Sequence, residues 1–202
     1  KMEIVGLPVA EKFCQLTGDA ASVRTRLGWP EDIPIVLMVG GGDGMGPLEA
    51  TARAIDAARL PVKLVIVAGR NKKLKERLEK YPWRIPAAIY GFVREMPDFM
   101  RAADILLTKA GPGTVTEALN AGLPMILYSR LPGQEDGNVV YVVSEGAGVW
   151  APKPRDIVRV LTDWLEYPEK REAAAENCRR AARPQAARQI AHILASRVGL
   201  SS

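Results

Sequence analysis

One twelve-residue stretch limits what this chain can fold into more than any other: Thr108-Lys109-Ala110-Gly111-Pro112-Gly113-Thr114-Val115-Thr116-Glu117-Ala118-Leu119. The apolar run Asp104-Ile105-Leu106-Leu107 before it reads as a strand buried on both faces of a parallel sheet. The stretch itself turns and opens a helix. Gly111 and Gly113 carry no side chains where the backbone must bend, and Pro112 fixes one dihedral and removes one donor. Thr114 adds a hydroxyl in the first turn. The amides at a helix start lack intrahelical acceptors, so the place suits a phosphate. Glu117 lies one turn on, on the face shared by Gly113 and Thr114. A carboxylate there repels a phosphate but accepts hydrogen bonds from a ribose diol. The pattern points to a nucleotide-diphosphate binder. An ordinary βα turn followed by a helix-facing Glu is the alternative that local chemistry leaves open.

The rest of the chain repeats the strand-then-helix rhythm. Strands are expected at Pro34–Val39, Val62–Ala68, Ala87–Tyr90, 104–107, Pro124–Tyr128 and Gly148–Trp150. Between them lie an Ala-rich helix running to about Arg59, a Lys-rich helix capped by Asn71, a short helix at Met96–Ala103, the central helix ended by Gly122, and a helix at Asn138–Glu145. This spacing predicts an α/β fold: a Rossmann-like three-layer α/β/α arrangement around a parallel sheet of about six strands. Three helices close the chain, at Arg155–Trp164, Glu169–Arg180 and Gln185–Val198. In the last, Ala187, Ile190, Ala191, Leu194 and Val198 form one apolar stripe. Ahead of the first strand, residues 1–32 read as a linker, with Gly6-Leu7-Pro8-Val9 extended, followed by a lead-in helix at Asp19–Leu27.

Three further loops leave the carboxyl ends of strands, where a parallel sheet places its crevice. Gly40 to Gly46 holds five glycines in seven residues, including Gly42 and Gly44. It lacks the Gly-Lys-Ser/Thr of a phosphate loop, and no acidic residue ends the second strand to hold a dinucleotide ribose. That disfavours a dehydrogenase and leaves either a substrate-facing hinge or a plain tight turn. Phe92 and Val93 follow the third strand and either wall a flat base or belong to the core. After the fifth strand, Gln134, Glu135 and Asn138 offer donors and acceptors suited to sugar hydroxyls, and Asn138 is also placed to cap the next helix.

Composition excludes several classes. The net charge of +5 over 202 residues is too small to indicate nucleic acid by itself. No apolar run approaches the roughly 18 residues of a membrane span. Cys14 and Cys178 lie far apart and read as free thiols in a reducing compartment. The sole histidine, His192, sits in the final helix away from every glycine loop, and no Ser/His/Asp set or metal cluster can be assembled. Lysines 72, 73, 75 and 80 and the basic residues of 170–197 read as solvated faces, with attraction to an anionic membrane surface as the weaker reading. A chain that begins with Lys reads as part of a longer polypeptide.

Six motifs occur in order: Gly6-Leu7-Pro8-Val9, GGGDGMGP at 40–47, AGRNKKL at 68–74, GFVREM at 91–96, TKAGPGTVTEAL at 108–119 and LPGQEDGNVVYVV at 131–143. Together they resemble the carboxyl-terminal half of the monogalactosyldiacylglycerol synthase-like enzymes, GT-B glycosyltransferases of family 28. The resemblance runs from about residue 5 to 198. It implies that 33–202 is a UDP-sugar donor-binding domain, that 1–32 is the interdomain linker and lead-in helix, and that the acceptor domain is absent here. Phe92 and Val93 would border the uracil, and Glu117 would hold the ribose. Gly111, Pro112, Gly113 and Thr114 would cradle the diphosphate. Gln134, Glu135 and Asn138 would address the sugar and phosphates, with Gly42 and Gly44 at the cleft. The implied reaction is inverting transfer of a hexose, galactose foremost, to diacylglycerol, with no metal and no cofactor beyond the donor. No catalytic base is expected in this fragment, which alone would be inactive. The resemblance further implies a cytoplasmic enzyme, peripheral on the membrane when full length, with no nucleic-acid partner. A relative using UDP-glucose or UDP-N-acetylglucosamine with another lipid, or a non-catalytic nucleotide-sugar-binding subunit, remains open.

Overall fold

The structure, a computed structural model, describes residues 3–15, 18–40 and 47–198. Its centre is strand β1 (Ile35–Val39), whose five apolar residues are all buried. A run without polar alternation must be covered on both sides, and that requirement generates the three layers. β1 pairs in parallel with β2 (Lys63–Val67) on one side and β4 (Ile105–Lys109) on the other. β3 (Ala87–Tyr90) extends the sheet beyond β2, and β5 (Met125–Ser129) and β6 (Gly148–Trp150) extend it beyond β4. Every pairing is parallel, and the order is β3-β2-β1-β4-β5-β6. The chain therefore crosses from one half of the sheet to the other between β3 and β4. The crevice at that switch point lies between the carboxyl ends of β1 and β4.

Helices α3 (Leu48–Ala57), α4 (Lys72–Lys80) and α8 (Pro154–Glu166) cover one face with Ile55, Leu74, Leu78, Ile157, Leu161 and Trp164. Helices α5 (Met96–Ala102), α6 (Pro112–Ala121) and α7 (Asp136–Ser144) cover the other with Phe99, Val115, Ala118, Leu119 and Val142. Helix α9 (Pro168–Ala181) closes the edge, giving Ala174 to the first cluster and Cys178 and Ala181 to the second. The Cys178 thiol lies 3.4 Å and 3.3 Å from the carbonyls of Leu123 and Ala147, and burial pushes its pKa up to about 12. Helix α6 stops at Gly122, whose φ of 66° is the left-handed geometry glycine tolerates.

The expected elements are all present, with ends that move by one to three residues. Helix α7 begins at Asp136 rather than Asn138, so Asn138 lies inside its first turn and does not cap it. Among the described residues ahead of β1, Phe13, Val23 and Trp29 are packed into the body. Helix α2 (Ala20–Leu27) starts with the Asp19 carboxylate accepting from Ser22 N–H at 2.7 Å. Val23 and Trp29 are buried, and the Trp29 ring packs on Phe99 with centroids 4.9 Å apart. A four-residue helix, α1 (Glu11–Cys14), was not expected from the sequence. It has no side-chain cap and depends on burial of Phe13. The last helix, α10 (Ala186–Arg197), meets the body through buried Ala186, while Ala187, Ala191, Leu194 and Val198 of its apolar stripe stay exposed.

One ion pair ties the lead-in helix to the middle of the sheet. Arg24 donates to Asp104 at 2.7 Å and to the Ala102 carbonyl at 2.8 Å, and the same Asp104 oxygen accepts the Ile35 amide at 2.7 Å. Asp104 thus aligns the starts of β1 and β4. Replacing Asp104 by Ala removes the charged partner of the Arg24 guanidinium, leaving it the Ala102 carbonyl, and takes the acceptor from the Ile35 amide. A loss of about 2–4 kcal/mol in urea unfolding, with an unchanged m-value, is expected. A loss below about 0.5 kcal/mol would show an ordinary surface pair.

Candidate functional site

The site grows from the end of β4. Pairing of β4 with β5 slips between Thr108, opposite Leu127, and Lys109, opposite Ser129, so Tyr128 is the extra residue of a bulge. Tyr128 turns inward and donates its hydroxyl to the Val39 carbonyl at 3.3 Å, anchoring the end of β1; burial raises its pKa. Past the bulge, the Ala110 amide donates to the Ser129 carbonyl and the Gly111 amide to the Lys109 carbonyl, both at 2.8 Å. Gly111 is the N-cap of α6 and Pro112 its first residue. The next amides, of Gly113 and Thr114, open onto the crevice end of the helix. A Cβ placed at Gly113 would meet nothing within 4 Å among the described residues, so the side-chain side of this first turn is open. The helix start carries a partial positive charge and amides without intrahelical acceptors.

Glu117 stands one turn along α6, half-buried. It accepts no hydrogen bond from any described residue. Burial raises its pKa above the usual carboxylate range, and the charge of Lys12 opposes that shift. Lys12 reaches the Arg94 carbonyl at 3.3 Å, so α1 bridges α6 and the loop after β3. In that loop Phe92 is 59% exposed, which excludes a core role, and the Arg70 guanidinium lies over its ring at 5.4 Å. Val93 is half-buried against the core. The structure therefore brings an apolar ledge, an underpartnered carboxylate and a helix N-terminus to one edge of the sheet.

The loop after β5 is held against the same helix start. Asn138 donates its side-chain amide to the Ala110 carbonyl at 2.8 Å, a different use of its amide from the capping expected of it. Glu135 is buried, with one oxygen accepting from Lys109 at 2.8 Å and the other from the Leu131 amide at 2.8 Å. Asp136 takes the Gly133 amide at 2.6 Å and pairs with Arg130, and the Gly133 hydrogen bond, then Arg130, hold its pKa low. Gln134 is exposed at the loop surface. Gly42 and Gly44 lie outside the described residues. Lys109 is a cation at the helix start that sequence reading left without a role. A Lys directly before an Ala-Gly turn was the available signal. Among the described residues, no group of three or more His, Cys, Asp and Glu side chains could hold a metal ion.

Sheet order and crevice define a Rossmann-like domain, and comparison with known proteins places it. Residues 35–190 match the glycosyltransferase family 28 C-terminal domain. The chain belongs to that family. It is 41% identical over 200 residues to monogalactosyldiacylglycerol synthase 1, chloroplastic, of Arabidopsis thaliana, covering 95% of this chain and 38% of that protein. It is 42% identical to a probable monogalactosyldiacylglycerol synthase, chloroplastic, of Glycine max, covering 96% and 38%. The chain thus spans about two-fifths of these relatives. Among solved structures, it matches the glycosyltransferase WaaG with a TM-score of 0.70 at 23% identity, covering 93% of this chain and 54% of that one. It matches Acinetobacter baumannii MurG with a TM-score of 0.68 at 19% identity, covering 93% and 56%. These likenesses establish the fold as one half of a GT-B arrangement.

Because the folded state raises the Glu117 pKa, it favours the protonated carboxyl. Stability from this group is present at low pH and lost as pH rises through the raised pKa. Glu117→Gln should therefore be more stable than the parent at about pH 7, with the gap closing towards about pH 4. Thermal unfolding at both values checks this, and a gap that does not change with pH would contradict it.

Proposed function

We propose that this chain is the donor-binding half of an inverting glycosyltransferase that moves a hexose, galactose foremost, from a UDP-sugar to diacylglycerol. The observation that carries the reading is the meeting, at one crevice, of an open helix N-terminus and a desolvated carboxylate one turn away. The exposed Phe92 ledge beside them and the names of the relatives agree with it. The diphosphate would sit at Gly111, Pro112, Gly113 and Thr114. Glu117 would accept from the ribose diol, and Phe92 and Val93 would flank the uracil. Gln134 would reach the sugar, and Gly42 and Gly44 would face the acceptor.

In the transfer, the acceptor oxygen attacks the anomeric carbon as the bond from that carbon to the β-phosphate oxygen breaks. The electron pair leaves with UDP, and the acceptor proton passes to a general base supplied by the other half of the enzyme. The helix start stabilises the growing phosphate charge without a metal. No described helix is long and apolar enough to cross a membrane. Contact with a diacylglycerol-bearing surface would be peripheral, as the family resemblance implies.

Calorimetric titration of the chain with UDP and ADP tests the reading. UDP should bind in clear preference to ADP, and Glu117→Ala should weaken UDP about 10–100-fold, the loss of hydrogen bonds to a charged acceptor. Equal binding of ADP, or an unchanged Glu117→Ala, would contradict the assignment. The isolated chain should show no turnover with UDP-galactose and diacylglycerol, and full activity would show that the base lies within it.

A further inference from the structure

Among the described residues, Lys109–Glu135 is the most enclosed ion pair beside the start of α6. The Lys109 side chain is 26% exposed and the Glu135 side chain 6%. Glu135 is fixed from two directions. Its backbone N–H donates to the Leu131 carbonyl at 2.9 Å, and its second carboxylate oxygen accepts the Leu131 amide at 2.8 Å. That closes the 131–135 turn on itself and leaves the first oxygen facing Lys109. The ammonium has three N–H groups, and Glu135 takes one of them. A Cβ at Gly111 would lie 3.7 Å from both the Lys109 nitrogen and that Glu135 oxygen, so the pair sits directly over the turn that starts α6. The β4–β5 bulge falls immediately before Lys109 and sets where its side chain leaves the sheet. The result is a preorganised cation beside the open end of the helix. By contrast, the Glu135 side chain is enclosed, and each of its oxygens already holds one donor, Lys109 or the Leu131 amide.

Resting on the proposed donor site, we infer that Lys109 is the diphosphate-binding cation and that Glu135 is its positioning residue rather than a sugar ligand. The ammonium meets the β-phosphate, where charge grows as the sugar departs. Glu135 keeps that ammonium over the helix start instead of letting it extend into solvent. The consequence is that Glu135 acts on the nucleotide only through Lys109.

The experiment is a binding cycle on the 202-residue chain with K109M, K109R, E135Q and K109M/E135Q, titrated with UMP, UDP and UDP-galactose. Thermal unfolding confirms that each variant is folded. K109M should weaken UDP and UDP-galactose by the same factor, about tenfold or more, and UMP by much less, and K109R should recover most of the loss. E135Q should move UDP and UDP-galactose together and should have no further effect in the K109M background. Wild-type binding of UDP with K109M unchanged would overturn the inference and leave the donor-site reading standing. So would an E135Q effect confined to UDP-galactose, or one that adds to K109M. No UDP binding by the wild-type chain would remove both. If E135Q does not fold, E135D replaces it, and the same additivity criterion applies.

Discussion

The structure depends on five consecutive apolar residues, Ile35–Val39, having no polar face to give to water. Such a strand is stable only in the middle of a parallel sheet with helices on both sides. β2 and β4 flank it, and the chain must pass from one half of the sheet to the other. That passage creates a crevice, and a crevice at a switch point is where a ligand can reach several strand ends at once. Asp104 couples this layout to the rest of the molecule, since one carboxylate oxygen serves both the Ile35 amide and Arg24 of the lead-in helix. Tyr128 does the matching work at the other end of β1 by donating to the Val39 carbonyl.

The crevice keeps chemistry that a stability-driven core would avoid. Glu117 is desolvated and takes no hydrogen bond from a described residue, and its raised pKa records the cost. Gly113 puts no side chain at the first turn of α6, where a Cβ would meet no described atom within 4 Å. Phe92 keeps an aromatic face in solvent with Arg70 across it. Together they are the features that the proposed donor site would use for a flat base, a diol and a diphosphate. By contrast, Asp136 and Arg130 form a satisfied exposed pair that holds a loop.

Much of this was legible in the sequence because its signals are local. Runs such as Leu64–Val67 and Ile105–Leu107 declare buried strands, Asn71 caps the helix it precedes, and Gly122 ends α6 as its position suggests. The Gly-Pro-Gly turn and Glu117 lie within one helix and so could be read as a unit. What stayed hidden depends on partners far along the chain. Asn138 reads as a cap, yet its partner is a carbonyl 28 residues earlier. Lys109 gains a role only when Glu135, 26 residues on, is folded against it. Helix α1 has no cap signal and exists because Phe13 is buried. The stripe on α10 obeys helical periodicity, but periodicity does not say whether anything covers it, and most of it stands exposed.

The central claim is that the start of α6 is where the nucleotide phosphates bind. The most direct test is an amide NMR titration of the chain with UDP. The account predicts the largest shifts at the Gly113 and Thr114 amides, smaller ones in the 91–93 loop, and none across α4 and α8 on the opposite face. Shifts confined to α10 or to the residues before β1, with Gly113 and Thr114 unmoved, would contradict it.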